Sequence, residues 1–492
     1  MKVLVANRGE IAIRVLRTCR ELGLPSVAIY TSVDEKAQHL GYADEAVSVG
    51  ERGGYLDIPA IIRAARQSGA EAIHPGYGFL AENADFAQAV EAAGLTFIGP
   101  RPETIALMGD KLASRRAARD AGLPVLPGSD NPLPLEVPLE MAEKVNYPVL
   151  VKAAAGGGGR GIRLALSAKE LPSVIEAARQ EAIAAFGDGT VFLESMVREA
   201  RHIEVQILGD GFGHVLCLGE RECSLQRRRQ KLIEEAPAHG LSSALRCQLY
   251  DAAFRLGQAL NYRGLGTVEF LLDAEDQFHF IEVNPRIQVE HPVTEMVTGL
   301  DLVKEQITLA AGATLRYRQE QIEMRGAAIE ARIIAEDASQ GFLPATGQIT
   351  YLREPGGPGV RVDSALYQGM EVTSDYDSLL AKVIAWGENR QAAIARLSRA
   401  LHEFQISGVS TDIEFLLQII ESPRFISGTV TTTYLEGFNM VEMPPEADLE
   451  RAVALAAALF AHQNRQRKMA QKVERYSRWQ AAAWQEQISG KA

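Results

Sequence analysis

One stretch restricts the fold more than any other: residues 280–291, Phe-Ile-Glu-Val-Asn-Pro-Arg-Ile-Gln-Val-Glu-His. Glu282, Asn284, Arg286, Gln288 and Glu290 alternate with Ile281, Val283, Pro285, Ile287 and Val289. An extended segment would therefore turn an apolar set to one face and a charged and amide set to the other. Pro285 has no N–H for a ladder, so strict alternation is expected only as far as Asn284.

The residues before it predict a hairpin. Residues 266–272 are β-branched and aromatic, 273–277 are turn-like and 277–283 are strand-like again. A turn centred between Glu275 and Asp276 sets Glu269 opposite Glu282. Directly opposed like charges destabilise a sheet by about 0.2–1 kcal/mol, so the pair calls for a cation. Two carboxylates and the Asn284 carbonyl oxygen are hard donors of the kind Mg²⁺ or Mn²⁺ takes when it also holds substrate phosphates. A solvated polar strand face is the other reading of this stretch taken alone.

The chain of 492 residues has room for several domains. Its net charge of -12 argues against a general nucleic-acid binder. No apolar run reaches the length of a membrane span and the first residues lead straight into a strand pattern, so a cytoplasmic protein without membrane attachment is expected. The four cysteines, Cys19, Cys217, Cys223 and Cys247, form no Cys-x-x-Cys pair, which suggests neither a zinc site nor a disulfide framework.

Strand, helix and strand patterns at 2–6, 11–22 and 26–31 predict a parallel sheet covered by helices. No Gly-x-Gly-x-x-Gly follows the first strand, so a dinucleotide fold is not supported. His74-Pro-Gly-Tyr-Gly-Phe79 reads as a turn at a strand's carboxyl end, a place where open α/β sheets put ligands and where a purely structural turn also fits. A helix is expected over 102–121, carrying Asp110 and Lys111. The strand at 147–152 ends in Lys152 and leads through glycines 156–159 and Gly161 to a return strand at 162–166. Such a loop closes over phosphates through unshielded amides, with Lys152 as a point charge, or is simply a flexible turn. With the strand at 190–194 it outlines a lid of about 70 residues. Further on, Arg227, Arg228, Arg229 and Lys231 form a dense cationic run in an acidic protein and suggest an anion site. A strand is predicted at 327–334 and a helix at 389–404. Beyond 439 an Ala-rich stretch with Arg465, Arg467, Lys468, Lys472, Arg475 and Arg478 predicts a helical extension.

Lys111, Lys152, the glycine loop between strands and the Glu269…Glu282-x-Asn284 hairpin together resemble the ATP-grasp superfamily. The resemblance narrows with residues 6–13 (Ala-Asn-Arg-Gly-Glu-Ile-Ala-Ile), 74–79, 156–161, the run from Gln226, and 286–295 (Arg-Ile-Gln-Val-Glu-His-Pro-Val-Thr-Glu). Over residues 1–439 the chain is similar to biotin carboxylase; the tail lies outside the core family. The fold class implied is α/β: an N-terminal doubly wound parallel-sheet domain, an ATP-grasp lid domain and a larger α+β C-terminal ATP-grasp domain. The expected boundaries are 1–103, a linker 104–123 with Lys111, a lid 124–197, a catalytic domain 198–439 and an extension 440–492.

The resemblance also implies residue roles. Lys111 and Lys152 would hold ATP phosphates under Gly158 and Gly159. Glu194, Ser195, Met196 and Val197 would form the adenine-side hinge, with His202 and Gln226 near the nucleoside. Glu269, Glu282 and Asn284 would hold Mg²⁺ or Mn²⁺. Lys231, Arg286, Gln288, Val289 and Glu290 would bind bicarbonate, and Tyr77 and Arg332 biotin. Catalysis would rest on Lys231 and Arg286, on Glu290 as the base and on Arg332 stabilising the biotin enolate. Arg229 stands where the family commonly has His beside the ribose, which leaves the nucleoside contact open. No Ala-Met-Lys-Met biotinylation motif occurs. A biotin carboxyl carrier protein and a carboxyltransferase are therefore expected on other chains, and family members are often homodimers. Another ATP-grasp carboxylate–amine ligase, or a non-enzymatic ATP-binding module, is the competing expectation.

Overall fold

Residues 1–134, 146–155, 161–440, 447–473 and 485 are described by the structure, a computed structural model. The chain divides into two units, Met1–Phe438 and Asn439–Ala492.

The first unit opens with strands β1 (Val3–Val5), β2 (Ser26–Tyr30), β3 (Glu45–Ser48), β4 (Ala72–His74) and β5 (Thr96–Phe97). They form a parallel sheet in the order β3-β2-β1-β4-β5. β1 is an apolar run buried on both faces, as a parallel strand between helices must be. Helix Gly9–Glu21 covers one face, so the loop from Ala6 to Arg8 and the turn after His74 share the carboxyl edge of the sheet. Asn7 ties the two together, donating from Nδ2 to the carbonyls of Pro75 (2.8 Å) and Tyr77 (2.7 Å).

The single helix expected over 102–121 is two, Pro102–Gly109 and Lys111–Asp120. Asp110 is the reason. Its carboxylate accepts from the N–H groups of Leu112 (2.9 Å) and Ala113 (3.0 Å), an N-cap that starts a new helix. Lys111 N–H then donates to the Ala154 carbonyl at 3.0 Å, pinning this joint to the small sheet that follows.

That sheet comprises β6 (Val149–Ala153), β7 (Ile162–Ala165) and β8 (Val191–Ser195), antiparallel in the order β7-β6-β8 and backed by helix Leu171–Phe186. The large sheet is antiparallel. It comprises β9 (Arg201–Asp210), β10 (Val215–Arg227), β11 (Gln230–Ala236), β12 (Arg263–Leu272), β13 (Phe278–Asn284), β14 (Ala327–Ile334) and strands Val360–Ser364 and Leu379–Gly387. Its order is β13-β12-β9-β10-β11-β14, then Leu379–Gly387, then Val360–Ser364.

Two turns set the registers that matter. Between β12 and β13 the Asp273 carboxylate accepts from the N–H of Glu275 (3.1 Å) and Gln277 (2.8 Å), so the loop closes on itself. Glu269 falls opposite Glu282 as predicted, but the turn is centred on Glu275, with Leu272 opposite Phe278, and a bulge between Glu269 and Phe270 shifts the register by the one residue that brings the two carboxylates face to face. Between β10 and β11 the two turn residues are Arg228 (φ 50°) and Arg229 (φ 66°), both left-handed, which is the backbone of a tight two-residue hairpin normally given to Asn or Gly.

In the second unit the described helix Ala447–Val473 exposes Val453, Leu455, Leu459 and Phe460. The remainder of the predicted extension, 474–484 and 486–492, lies outside the described residues.

Candidate active site

Register places four charged side chains in one row across the large sheet. Glu282 on β13 pairs with Glu269 on β12, Glu269 with Glu204 on β9, and Glu204 with Arg221 on β10. Three carboxylates side by side would repel one another. Two cations hold the row. Arg221, fully buried, donates from Nε to Glu204 Oε1 at 2.5 Å. Lys231 at the start of β11 donates from Nζ to Glu204 Oε2 (2.6 Å), Glu269 Oε1 (2.9 Å) and Glu290 Oε1 (2.7 Å).

Glu290 reaches that lysine by a route the alternation pattern did not predict. β13 stops at Asn284, and residues 285–290 leave the sheet as a loop ahead of helix His291–Thr298. Pro285 cannot continue the ladder, so the loop folds back over the sheet. The other Glu290 oxygen, Oε2, accepts from Arg332 Nη2 at 2.9 Å, and Arg332 Nε donates to Glu234 Oε1 at 2.6 Å. Burial alone would raise the Glu290 carboxyl, but Lys231, Arg332 and Arg221 outweigh it and hold it well below the usual carboxylate range. Glu269 is likewise lowered against burial by Lys231 and His202. Glu234 goes the other way, pushed up to about 7 by burial despite Arg332.

The loop carries further polar groups. Asn284 donates from Nδ2 to Glu269 Oε1 (2.8 Å) and accepts from Arg286 Nη2 (3.2 Å); Arg286 Nη1 donates to Gln288 Oε1 (2.8 Å), and its Nε lies 3.3 Å from Glu82 Oε2. Gln288 is buried, and its Nε2 has no hydrogen-bond partner. The Val289 carbonyl accepts from Lys382 Nζ at 2.8 Å. An orphaned buried amide donor beside a guanidinium is the chemistry of an anion site.

At the other end of the row Lys111 Nζ lies 3.7 Å from Glu282 Oε2. Lys152 on β6 donates to Glu194 on β8, which also accepts from Arg115 Nη1 at 2.7 Å. In this state Lys152 is therefore committed to an ion pair. Ser195 and Met196 donate backbone N–H groups to the carbonyls of Pro127 (2.7 Å) and Pro148 (3.4 Å), and Val197, half-buried, follows directly. His202 Nε2 lies 3.0 Å from Glu269 Oε2, while Gln226 Nε2 contacts His202 Nδ1 at 2.7 Å. Gly158 and Gly159 lie outside the described residues.

The cationic run divides. Arg227 pairs with Glu336, Lys231 turns inward to the three carboxylates, and Arg229 donates to the Ile162 carbonyl of β7 at 3.1 Å. Residues contiguous in sequence point different ways here because a tight turn falls in their midst, so no single basic patch results.

Tyr77, at the carboxyl edge of the parallel sheet, donates its hydroxyl to Glu10 Oε1, which lies 3.1 Å from Lys382 Nζ. Glu10, Lys382, Glu204 and Arg221 are thus part of the site and were missed from sequence. Glu204 and Arg221 could have been found by extending the register argument one strand further; nothing local signals Lys382.

Among the described residues, two groups of buried side chains bring metal-ligating atoms within 4.8 Å of one another: His202, Glu204 and Glu269, and Glu204, Cys223 and Glu290. Lys231 sits on members of both and already neutralises them. Glu282, more open than its partners, with Glu269 and the Asn284 oxygen, is the donor set that suits a hard divalent cation at the mouth of the row.

A small antiparallel sheet, a larger one and a carboxylate hairpin between lysines define an ATP-grasp ligase. Family models agree along the chain: biotin carboxylase N-terminal domain over residues 1–105, carbamoyl-phosphate synthase L chain ATP-binding domain over 110–318, and biotin carboxylase C-terminal domain over 330–437. Biotin carboxylase of Nostoc sp. is 51% identical over 442 residues, 89% of this chain and 99% of that one. Biotin carboxylase 1 of Bacillus subtilis is 48% identical over 89% of this chain and 99% of its own length. Among solved structures, the biotin carboxylase domain dimer of Hydrogenobacter thermophilus 2-oxoglutarate carboxylase, in complex with MgADP, ADP and bicarbonate, superposes with a TM-score of 0.86 at 49% identity, covering 88% of this chain and 97% of that one. The Campylobacter jejuni enzyme in its β-γ-ATP complex gives 0.87 at 46%, covering 89% and 98%.

The chain belongs to the biotin carboxylase family. It is a biotin carboxylase, an ATP-dependent ligase.

Proposed function

We propose that the row from Glu282 to Arg221 and the loop from Arg286 to Glu290 form one reaction channel, with ATP at the hinge end and biotin at the Arg332 end. The observation that carries this reading is Lys231, whose single ammonium touches Glu204, Glu269 and Glu290. It joins the candidate metal carboxylate to the candidate base. Lys111 and Lys152 would hold the ATP phosphates, Lys152 by exchanging its pairing with Glu194; Gly158 and Gly159 would close over them. Ser195, Met196 and Val197 would meet the adenine, with His202 and Gln226 beside the nucleoside. Glu269, Glu282 and Asn284 would hold Mg²⁺ or Mn²⁺, which neutralises phosphate charge during transfer.

Arg286, the free Gln288 amide, the Val289 backbone and Lys231 would grip bicarbonate. Glu290 is ionised throughout the physiological range and is available to take its proton once bound cations have made that proton more acidic. The product of phosphoryl transfer would be carboxyphosphate. Arg332 keeps its charge and lies beside Glu290, so it can stabilise the oxyanion that develops on biotin, with Tyr77 as a wall of that pocket. The biotin acceptor would sit on a separate carrier protein that passes carbon dioxide to a carboxyltransferase on another chain, and two copies of this chain would form a homodimer. The unit boundaries proposed are those read from sequence, with 440–492 a docking extension. Four free cysteines fit a reducing, cytoplasmic compartment, and among the described residues no helix is long and apolar enough to cross a membrane.

Phosphate release by the purified chain with MgATP and bicarbonate, with and without free biotin, tests the reading. Release should require bicarbonate and rise with biotin, and Glu290→Gln should lower the biotin-stimulated rate by about 10²–10⁴. Release from Glu290→Gln equal to wild type would remove Glu290 from the role of base.

A further inference from the structure

The channel accounts for Tyr77 and for Val289 but not for the lysine that joins them. Lys382, on strand Leu379–Gly387, is fully buried. Its ammonium donates to the Val289 carbonyl at 2.8 Å and lies 3.1 Å from Glu10 Oε1. That same Glu10 oxygen accepts the Tyr77 hydroxyl. The strand register sets Lys382 directly beside Arg332 on one side and Asp363 on the other. Asp363 is held chiefly by Arg361, which donates to both its oxygens at 2.9 and 2.7 Å, while its Oδ2 lies 3.9 Å from the Lys382 ammonium, so the lysine's shorter contacts are those to Glu10 and Val289. A buried ammonium that loses an acceptor or its counter-charge is costly, so each of these contacts is held firmly.

We propose that Lys382 is a positioning residue that locks the bicarbonate loop and the biotin wall into one rigid assembly, acting through the Val289 carbonyl on one side and through Glu10 and Tyr77 on the other. This rests on the assignment of Val289 to bicarbonate and Tyr77 to biotin. Lys382 itself touches neither substrate. Its two short polar contacts, and the Tyr77 ring centred 5.7 Å from its ammonium, come from three elements far apart in sequence: the loop after β13, the first helix and the turn after β4. Freeing the carbonyl would let Val289 and its neighbour Gln288 shift, and freeing Glu10 would let the Tyr77 ring turn. Positioning groups of this kind typically change function by about ten- to a hundredfold when removed.

The test compares Lys382→Met, the double variant Glu10→Gln/Lys382→Met, which leaves no unpaired charge behind, and Glu10→Gln alone. Bicarbonate-dependent phosphate release is measured with and without free biotin, together with thermal melting. Lys382→Met and the double variant should raise KM for bicarbonate and for biotin by about tenfold or more while KM for ATP stays within about twofold. Glu10→Gln should affect biotin alone, and Lys382→Arg should recover part of the loss. Folded Lys382→Met or double variant with unchanged KM for both substrates, or with ATP affected equally, overturns the proposal in favour of a merely structural charge. Wild-type release that ignores both bicarbonate and biotin would instead overturn the channel assignment itself, so the two failures are distinguishable.

Discussion

The core of the parallel sheet and one face of the large antiparallel sheet are buried to the same depth and carry opposite chemistry, the other face of the large sheet being apolar. In the first, Val3, Leu4, Val5, Val27, Ala28, Ile29 and Ile73 are fully enclosed and apolar. On the charged face of the second, Glu204, Arg221, Glu234, Glu330 and Lys382 are just as enclosed, as is Glu290 on the loop packed over them. An apolar interior stabilises by removing hydrocarbon from water. A buried ionic network has no such net gain, because desolvation offsets most of the Coulomb attraction. The large sheet therefore spends stability on charges with fixed positions, and the parallel sheet, through the turn after β4 and the loop after β1, provides the scaffold beside them. Within the second region partners decide the charge state. Glu290 and Glu330 are both wholly buried, yet Glu290 meets Lys231 and Arg332 and stays ionised, whereas both Glu330 oxygens lack a hydrogen-bond partner and burial pushes its carboxyl well above the usual range.

Substitutions that exchange the two regions' roles test the contrast. Lys231→Met should have the largest effect: it leaves Glu204, Glu269 and Glu290 facing one another, so kcat should fall by about 10³ and stability by about 3–5 kcal/mol, read by phosphate release and by chemical denaturation. Leu4→Ala, in the parallel sheet, should lower stability by about 2–5 kcal/mol with kcat/KM close to wild type at a temperature where the variant is folded. An activity loss in Leu4→Ala beyond its folded fraction would show that the two regions are not separable.

A smaller effect comes from Glu235, pushed up to about 7 by burial although Arg390 donates to it at 2.6 Å. A carboxyl raised in the folded state binds its proton more tightly there than in the unfolded chain. Its contribution is fully present below the unfolded value near 4.5 and is lost as pH rises through about 7. Glu235→Gln cannot ionise, so the stability difference between variant and wild type should move in favour of the variant, by about 2 kcal/mol, from pH 4.5 to pH 8. Denaturation midpoints across that range, parallel for both proteins, would contradict it. Smallest of all, Arg229→His should change KM for ATP by less than about tenfold, since the hydrogen bond from Arg229 to the Ile162 backbone ties the turn to the small sheet. A change of orders of magnitude would mean that Arg229 governs nucleotide binding.

How much could be read beforehand followed the range of the interaction. The hairpin that faces Glu269 with Glu282 was legible because both strands and their turn lie within about twenty residues and the turn chemistry of Asp273 is local, whereas the bulge between Glu269 and Phe270 that completes the pairing left no sequence signal. The break at Asp110 was also local, but the apolar periodicity on either side masked the cap. Arg227 to Lys231 misled in the opposite direction: their closeness in sequence suggested one patch, and two left-handed residues turned the side chains apart.

By itself the sequence determined the strand and helix patterns, the opposed carboxylates of the hairpin and the motifs by which the chain resembles biotin carboxylases. Only the tertiary structure decided that Lys231 would meet Glu290 across 59 residues of chain, that Arg332 would meet it across 42, and that Lys382 would reach both Val289 and Glu10. The reason is physical. Periodicity encodes which face of an element is buried, while the charge state of a buried carboxylate depends on which distant strand is packed beside it, and that is a property of sheet order.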